Sequence, residues 1–163
     1  MLTPVQLQTL KTYITSSIDP SVIQWRTPAT RDDASLTAWL NASSGDLGWD
    51  SRMSGGAIAR ALIDGAAEVD NLSQGKRDTL FFLAASGQMI DTRLAATRQA
   101  LLDLTAGSPS NAATVRSSLQ ANAKRSLSRF ERLYSTGPTA GAYITTLEGA
   151  VSIDDVSLVL SSI

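Results

Sequence analysis

Residues 3–20 read TPVQLQTLKTYITSSIDP and hold every signal of one amphipathic helix. Thr3 and Gln6 have the spacing of a capping box, and Pro4 fits the first helical position. Apolar side chains then recur at helical spacing, at Leu7, Leu10, Ile14 and Ile18. The Asp-Pro pair stops the helix, because the residue before a proline is pushed out of the α region. These signals predict a helix over residues 4–18.

Similar caps, apolar spacings and glycine stops recur along the chain. They predict helices over residues 31–41, from Ser54 to Gly65, from Ser73 to Gly87, from Asp91 to Gly107, from Ser108-Pro109 onward and through Leu127–Tyr134. Residues 43–50, SSGDLGWD, are rich in turn formers and predict a loop. Trp49 is expected to pin this loop to the core; exposure at a partner interface is the alternative.

The pattern changes after Gly137-Pro138. Residues 143–147, YITTL, are β-branched and aromatic, which favours a short strand or extended segment. Ser152 is then expected to cap a last short helix. The chain is predicted to be mainly α, a compact bundle of about six to seven helices with a short extended segment and a C-terminal helix. Residues 1–138 are predicted to form the helical core domain and residues 139–163 a docking element.

The amino-acid composition excludes several kinds of catalytic and metal site. The 163 residues include no histidine and no cysteine, so thiol nucleophiles and most zinc sites and proton shuttles are excluded. With 43% apolar and 18% charged residues the chain is globular, and its length fits one domain. The net charge of −1 provides no global attraction to nucleic acid or to anionic lipid.

The motifs that suggest chemistry have structural explanations. The adjacent acids of Asp32-Asp33 and Asp154-Asp155 diverge on a helix and lie where the helix dipole favours negative charge. Residues 45–48 and 54–56 are glycine-rich but lack the Gly-Lys-Ser/Thr of a phosphate loop. We therefore predict no enzyme, no catalytic, cofactor-binding or metal-binding residues and no cofactor; a hydrolase that uses acids alone is the alternative.

The most uneven charge lies late in the chain. Arg125, Arg129 and Arg132 stand at i, i+4 and i+7, so on a helix they form one stripe. Such a stripe can meet phosphates or an acidic protein surface. The alternative is a solvated face opposite Leu127, Phe130 and Leu133.

The end of the sequence is the other candidate for contact with a partner. Its apolar side chains either fold back onto their own core or insert into a neighbouring molecule. The partner-binding residues predicted here are Tyr143, Ile144, Leu147, Val151, Ile153, Val156, Leu158, Leu160 and Ile163, together with Arg125, Arg129 and Arg132. The extended segment is expected to be able to add to a partner's strand.

Neither targeting nor membrane insertion is expected. Residues 1–10, MLTPVQLQTL, lack the basic region and apolar run of a signal peptide. The longest apolar run, residues 80–85, is far shorter than the roughly 20 residues that span a bilayer. We expect a protein that is made in the host cytoplasm and has no membrane partner.

Three segments resemble a family of small virion proteins of tailed bacteriophages. Residues 2–14, LTPVQLQTLKTYI, resemble the family's opening L-T-x-x-Q-L-x-x-L-K-x-x-I. Residues 129–137, RFERLYSTG, are similar to its R-x-E-[KR]-L-[FY]-x-T-G segment, and residues 147–156, LEGAVSIDDV, to F-E-G-x-[LV]-S-x-x-D-V. The order and approximate spacing agree over most of the chain.

The middle of the chain departs from the family pattern. Residues 49–53, WDSRM, stand where the family has W-R-T-S-V, and residues 124–131, KRSLSRFE, where it has K-R-P-A-T-R-A-E. The departures suggest a divergent member. The pattern includes no catalytic residues, so none are carried over.

The resemblance implies a structural protein of the virion, at the neck, that acts as a head-to-tail adaptor. Such an adaptor forms a homo-oligomeric ring, here of about a dozen copies, which closes by rotation through a heterologous interface. Its expected partners are the portal protein and the tail or nozzle proteins, with genomic DNA passing through the ring without sequence-specific contact. The alternatives are another virion component, namely a tail completion or capsid-associated protein, and a non-virion nucleic-acid-binding module that uses the arginine stripe.

Overall fold

The prediction of a purely helical bundle is wrong. The structure is a computed structural model that describes residues 1–107, 112–139 and 141–163. Within these residues the chain has 10 helices, which make up 58% of it, and 16% of it lies in strands. A four-stranded mixed sheet and a two-stranded sheet accompany the helices, so the fold is α/β.

The elements alternate along the chain. The helices are α1 (Pro4–Ser16), α2 (Pro20–Arg26), α3 (Asp33–Asn41), α4 (Gly55–Asp64), α5 (Ala66–Val69), α6 (Gln74–Ala85), α7 (Ala95–Thr105), α8 (Ala113–Asn122), α9 (Arg129–Leu133) and α10 (Ile153–Leu160), with a 3₁₀ turn at Pro28–Thr30. The strands are β1 (Ser43–Trp49), β2 (Met53–Ser54), β3 (Met89–Ile90), β4 (Lys124–Ser128), β5 (Ser135–Thr139) and β6 (Ala142–Thr145).

The strand order of the larger sheet is β4-β1-β6-β5. Strands β1 and β6 are parallel, with Gly48 opposite Tyr143. The smaller sheet pairs β2 with β3 in antiparallel register, Met53 opposite Ile90. The extended segment predicted around Tyr143 is confirmed as β6.

The capping box predicted at the start of α1 is confirmed. The Thr3 hydroxyl accepts a hydrogen bond from the Gln6 amide, and the Gln6 side chain accepts one from the Thr3 amide at 2.8 Å. The helix ends at Ser16, two residues before the predicted end. Helix α2 was not predicted. Asp19 caps it by accepting from the Ser21 amide at 2.9 Å, with Pro20 in its first turn, so one Asp-Pro pair ends a helix and begins the next.

Two segments that were predicted as a loop and as helix are strands. Residues 43–49 form β1 instead of a loop, and residues 124–128 form β4 instead of helix. Both segments are rich in serine and have weak intrinsic β propensity, so pairing in the sheet outweighs local preference. The helix start predicted at Ser108-Pro109 lies outside the described residues; α8 begins at Ala113.

The chain forms two compact units. Unit 1 comprises Met1–Asp46, Ser126–Thr139 and Thr145–Ile163, and unit 2 comprises Leu47–Arg125 and Ala140–Ile144. In unit 1, α10 packs against α1 and α3. The buried apolar side chains of its core are Leu10, Ile14, Val22, Leu36, Leu40, Phe130, Val151, Val156, Val159 and Leu160.

Unit 2 has its own core, in which α4 packs against α6 and α8. Trp49 is 3% exposed within it, so the predicted anchoring role is confirmed and the exposed alternative is wrong. The side chains buried around it include Met53, Ile58, Leu62, Leu72, Leu80, Leu101, Val115 and Leu119. Glycine allows α4 to approach the end of α6 closely, because a Cβ at Gly55 would lie 2.6 Å from the Ala84 carbonyl oxygen.

The partly buried carboxylate of Asp33 makes the stability of unit 1 sensitive to pH in the acid range. The Arg31 guanidinium donates to Asp33 at 2.7 and 2.8 Å, and the Ser157 hydroxyl of α10 also donates to it. These bonds lower the pKa of Asp33 to about 2. Because the folded pKa lies below the unfolded value, the stabilisation is complete above about pH 4 and is lost as the pH falls toward 2.

We expect Asp33→Asn to remove this part of the acid sensitivity. The free energy of urea unfolding should fall less between about pH 4.5 and pH 2.5 in the variant than in the unmodified chain. Asp78→Asn on α6 is the matched control for the removal of one carboxylate, because Asp78 is exposed. Identical profiles for Asp33→Asn and the unmodified chain would contradict the assignment.

Candidate interaction surfaces

The acidic pairs lie at the starts of two helices, where only Asp32 is itself the N-cap and Ser152 caps α10. Asp32 caps α3 by accepting from the Ser35 amide at 2.9 Å. Asp155 accepts from the Leu2 amide at 3.0 Å and from the Ser152 hydroxyl. Burial acts to raise the pKa of Asp155, but the hydrogen bonds outweigh it, and the pKa lies below its usual value. The prediction that both pairs lie at helix starts is confirmed.

The acids of the described ranges are too dispersed to form a metal site. In residues 1–107, 112–139 and 141–163, no three His, Cys, Asp or Glu side chains are grouped to hold an ion. Over the same ranges, every helix is too short or too polar to cross a bilayer.

The three late arginines do not form one helical stripe. Arg125 lies on strand β4, while Arg129 and Arg132 lie on α9. The predicted stripe is wrong because the helix begins at Arg129, where Ser128 caps it by accepting from the Glu131 amide at 3.1 Å. A capping box at this point fixes the start of the helix and leaves the preceding residues free to pair as a strand.

The two arginines of α9 have partners within unit 1. The Arg129 guanidinium lies 4.5 Å from the centroid of the Trp39 ring and donates to the Trp39 carbonyl at 3.1 Å. The Trp39 ring in turn stacks on Tyr13 at 6.3 Å. Arg132 pairs with Asp46 at 2.9 Å, an ion pair close to the surface. Arg129 therefore holds an aromatic side chain of its own unit in place.

The predicted docking residues of the tail divide into two faces. Val151, Val156 and Leu160 are buried in the core of unit 1, whereas Ile153, Leu158 and Ile163 are exposed. The division follows from helical periodicity, since positions 156, 159 and 160 lie on the face of α10 that meets α1 and α3. The tail therefore folds back onto its own unit and presents only its outer face to partners.

The extended segment is an interior strand. Tyr143 and Ile144 lie on β6, which stands between β1 and β5 in the sheet order. Its backbone is not a sheet edge, so the expectation that it adds to a partner's strand is wrong. Leu147 follows the strand and packs against the core of unit 1.

An apolar groove on unit 2 was missed from the sequence. Ile63 of α4 is 74% exposed and Phe81 of α6 is 52% exposed, and both line a groove of about 410 Å³. The remaining lining side chains are Ala59, Leu62, Ala66, Val69, Asp70 and Ala84. Its single charged side chain, Asp70, is paired with Arg77 at 2.8 Å. We call this surface the α4–α6 groove.

The signal that marks this groove was present in the sequence. The run Leu80–Leu83 places four large apolar side chains on one helical turn, and successive residues of a helix point about 100° apart. A helix that buries Leu80 must therefore expose its neighbours, and Phe82 is 68% exposed. A continuous apolar run in a short helix predicts an exposed face as well as a buried one.

Unit 1 has an apolar surface of its own. Helices α1 and α10 form a second groove, of about 310 Å³, whose lining includes Leu7, Leu158 and the hydrocarbon stem of Lys11. The exposed Val5 lies on α1 beside it in sequence. We call this surface the α1–α10 face.

The comparisons with known proteins found no relatives. No family model, curated protein or solved structure matches the chain.

Proposed function

We propose that the chain is a structural protein of a tailed-phage particle, a head-to-tail adaptor whose copies form a ring between the portal and the tail. The α4–α6 groove carries the proposal of assembly, because Ile63 and Phe81 expose large apolar side chains in one continuous surface. Surfaces of this kind mark sites of protein–protein contact. The resemblance of residues 2–14, 129–137 and 147–156 to virion proteins supports the place of action.

A ring requires two different surfaces on each copy. In a heterologous interface one patch of a subunit meets another patch of its neighbour, and the ring closes by rotation. The chain carries two apolar surfaces on different units, the α4–α6 groove and the α1–α10 face. We propose that the α4–α6 groove of one copy receives the exposed aliphatic side chains of the α1–α10 face of the next copy.

The wider assembly follows the same proposal. In a closed ring each subunit is held by two interfaces at once, so the ring can be stable although each interface has only modest affinity. The portal protein and the tail or nozzle proteins would bind the ring's two ends, and DNA would pass through without sequence-specific contact. The net charge of −1 is compatible with a lumen that does not hold DNA.

Mass analysis of purified particles tests the place of action. About a dozen copies of the chain per particle fits a ring at the neck. Hundreds of copies indicate a capsid or tube component instead, and complete absence from the particle contradicts the virion role.

A charge in the groove tests the assembly. We expect Phe81→Asp to weaken self-association roughly 100-fold, because a buried interface carboxylate without a partner removes a hot-spot contact and adds a desolvation cost. The measurement is the mass distribution by analytical ultracentrifugation over a range of concentrations. Circular dichroism at the same concentrations checks that the fold is retained, since Phe81 is exposed within the single chain.

Leu94→Asp is the matched control. Leu94 is also an exposed large apolar side chain, but it stands at the N-cap of α7 and does not line the groove. An aspartate is favourable at an N-cap, so the variant changes surface charge without a folding penalty. If Phe81→Asp associates as strongly as the unmodified chain, the α4–α6 groove is not part of the interface.

A further inference from the structure

A second concave site lies entirely within unit 2, between α7 and α8. It has a volume of about 260 Å³ and an apolar floor formed by the buried side chains of Trp49, Leu101 and Leu119. Arg98 of α7 and Arg116 of α8 also line it, and both are half-buried. An enclosed apolar floor with a few convergent polar groups is the usual form of a small-molecule site.

Both arginines are held in place by neutral groups. Arg98 donates from one terminal nitrogen to the Thr92 carbonyl at 2.8 Å, and its guanidinium lies 4.7 Å from the centroid of the Trp49 ring. Arg116 donates from Nε to the Thr105 hydroxyl at 3.1 Å. A guanidinium has five N–H donors, so each arginine keeps donors for a ligand.

The charge of the two arginines is not neutralised locally. Within the described residues, neither Arg98 nor Arg116 forms an ion pair with a carboxylate. Asp103 accepts a hydrogen bond at 2.8 Å from the side-chain amide of Gln99, another lining residue. The pocket therefore combines an apolar floor with two fixed positive charges and two exposed amides, those of Gln99 and Gln120.

We propose that this pocket binds a small organic carboxylate, with the apolar body on the floor and the carboxylate between Arg98 and Arg116. Guanidinium groups match a carboxylate through paired hydrogen bonds. The volume of about 260 Å³ limits the body to about one ring or one short branched chain. Inorganic phosphate fits less well, because the floor offers it no donors and would strip its hydration.

The proposal is tested by calorimetric titration of the full chain with cyclohexanecarboxylate. We expect it to bind at least 10-fold more tightly than acetate, which lacks the body, and than cyclohexanecarboxamide, which lacks the charge. Fluorescence of a Trp25→Phe/Trp39→Phe chain locates the site, because Trp49 is then the only tryptophan. The probe does not absorb where tryptophan is excited.

Variants separate the two parts of the site. Arg116→Gln should weaken binding of cyclohexanecarboxylate about 10-fold or more, as expected for the loss of a charge-assisted hydrogen bond. Ala95→Leu, at an exposed rim position, should block the cavity without removing a charge. The matched control is Arg60→Gln on α4, an exposed arginine outside the lining, which should bind as the unmodified chain does.

Four results would overturn the proposal. Equal binding of acetate would reduce the site to an ion contact, and equal binding of the amide would make it a purely apolar cavity. Tighter binding of inorganic phosphate would assign it to phosphates. An unchanged Trp49 signal on saturation would place the ligand elsewhere. None of these results depends on whether the chain assembles into a ring.

Discussion

Phe130→Ala is expected to lower the free energy of unfolding by about 3–5 kcal/mol. Phe130 is 1% exposed at the centre of unit 1, where its ring meets Tyr134 edge-on at 5.2 Å. Truncation removes apolar contacts and leaves a cavity that the surrounding side chains fill only in part. Domains of this size are stable by roughly 5–15 kcal/mol, so the variant would lose a large fraction of that margin.

Urea unfolding followed by tryptophan fluorescence measures this effect in the right unit. Trp25 and Trp39 lie in unit 1 and Trp49 lies in unit 2, so a Trp49→Phe background restricts the signal to unit 1. Phe82→Ala is the matched control, because the same truncation at a 68% exposed position should change stability by about 0.5 kcal/mol or less. Equal losses for the two variants would contradict the burial that distinguishes them.

Gly55→Ala is expected to destabilise unit 2 by about 1–3 kcal/mol, although it adds one methyl group. A Cβ at this position would lie 2.6 Å from the Ala84 carbonyl oxygen and 2.8 Å from that of Leu83. Both obstacles are backbone atoms at the end of α6, so relief requires the two helices to separate. Thermal unfolding monitored by Trp49 fluorescence should show a lower midpoint.

Gly75→Ala provides the control for the glycine substitution itself. Gly75 lies in the first turn of α6, and a Cβ there would have no neighbour within 4 Å. Alanine is the better helix former, so this variant should be neutral or more stable by about 0.5–1 kcal/mol. A stabilised Gly55→Ala would show that α4 and α6 do not approach as closely as described.

Local signals in the sequence predicted several helix starts well, although the start predicted at Asp91 is wrong, because α7 begins at Ala95. The caps at Thr3, Ser54 and Ser152 all form the expected bonds, for example from the Ala57 amide to the Ser54 hydroxyl at 3.3 Å. A cap involves only residues within one turn, so its signal is complete in a short stretch of chain. The same reasoning missed α2, because Asp19-Pro20 was interpreted only as a stop.

The sheet was beyond this kind of reasoning. Gly48 pairs with Tyr143, a residue far along the chain, and residues 43–49 contain little that favours a strand by itself. The arginine stripe failed partly for this reason: residues 124–128 pair as a strand, and the helix begins only at Arg129, after the Ser128 cap. The α4–α6 groove lay within reach, because four successive apolar residues on a helix cannot all be buried.

Unit 1 is built from segments that are far apart in the chain, and this affects how it folds during synthesis. Its core joins Leu10 and Ile14 of the first helix to Val159 and Leu160 of the last. Chains emerge from the ribosome N-terminus first, at about 5–20 residues per second, so α1 waits on the order of ten seconds for α10. During that interval the apolar face of α1 has none of its final cover from α10. Unit 2 needs nothing beyond Ile144, so its residues are available sooner. We expect unit 2 to complete its core before unit 1, and the first helix to remain partly uncovered until α10 has been made.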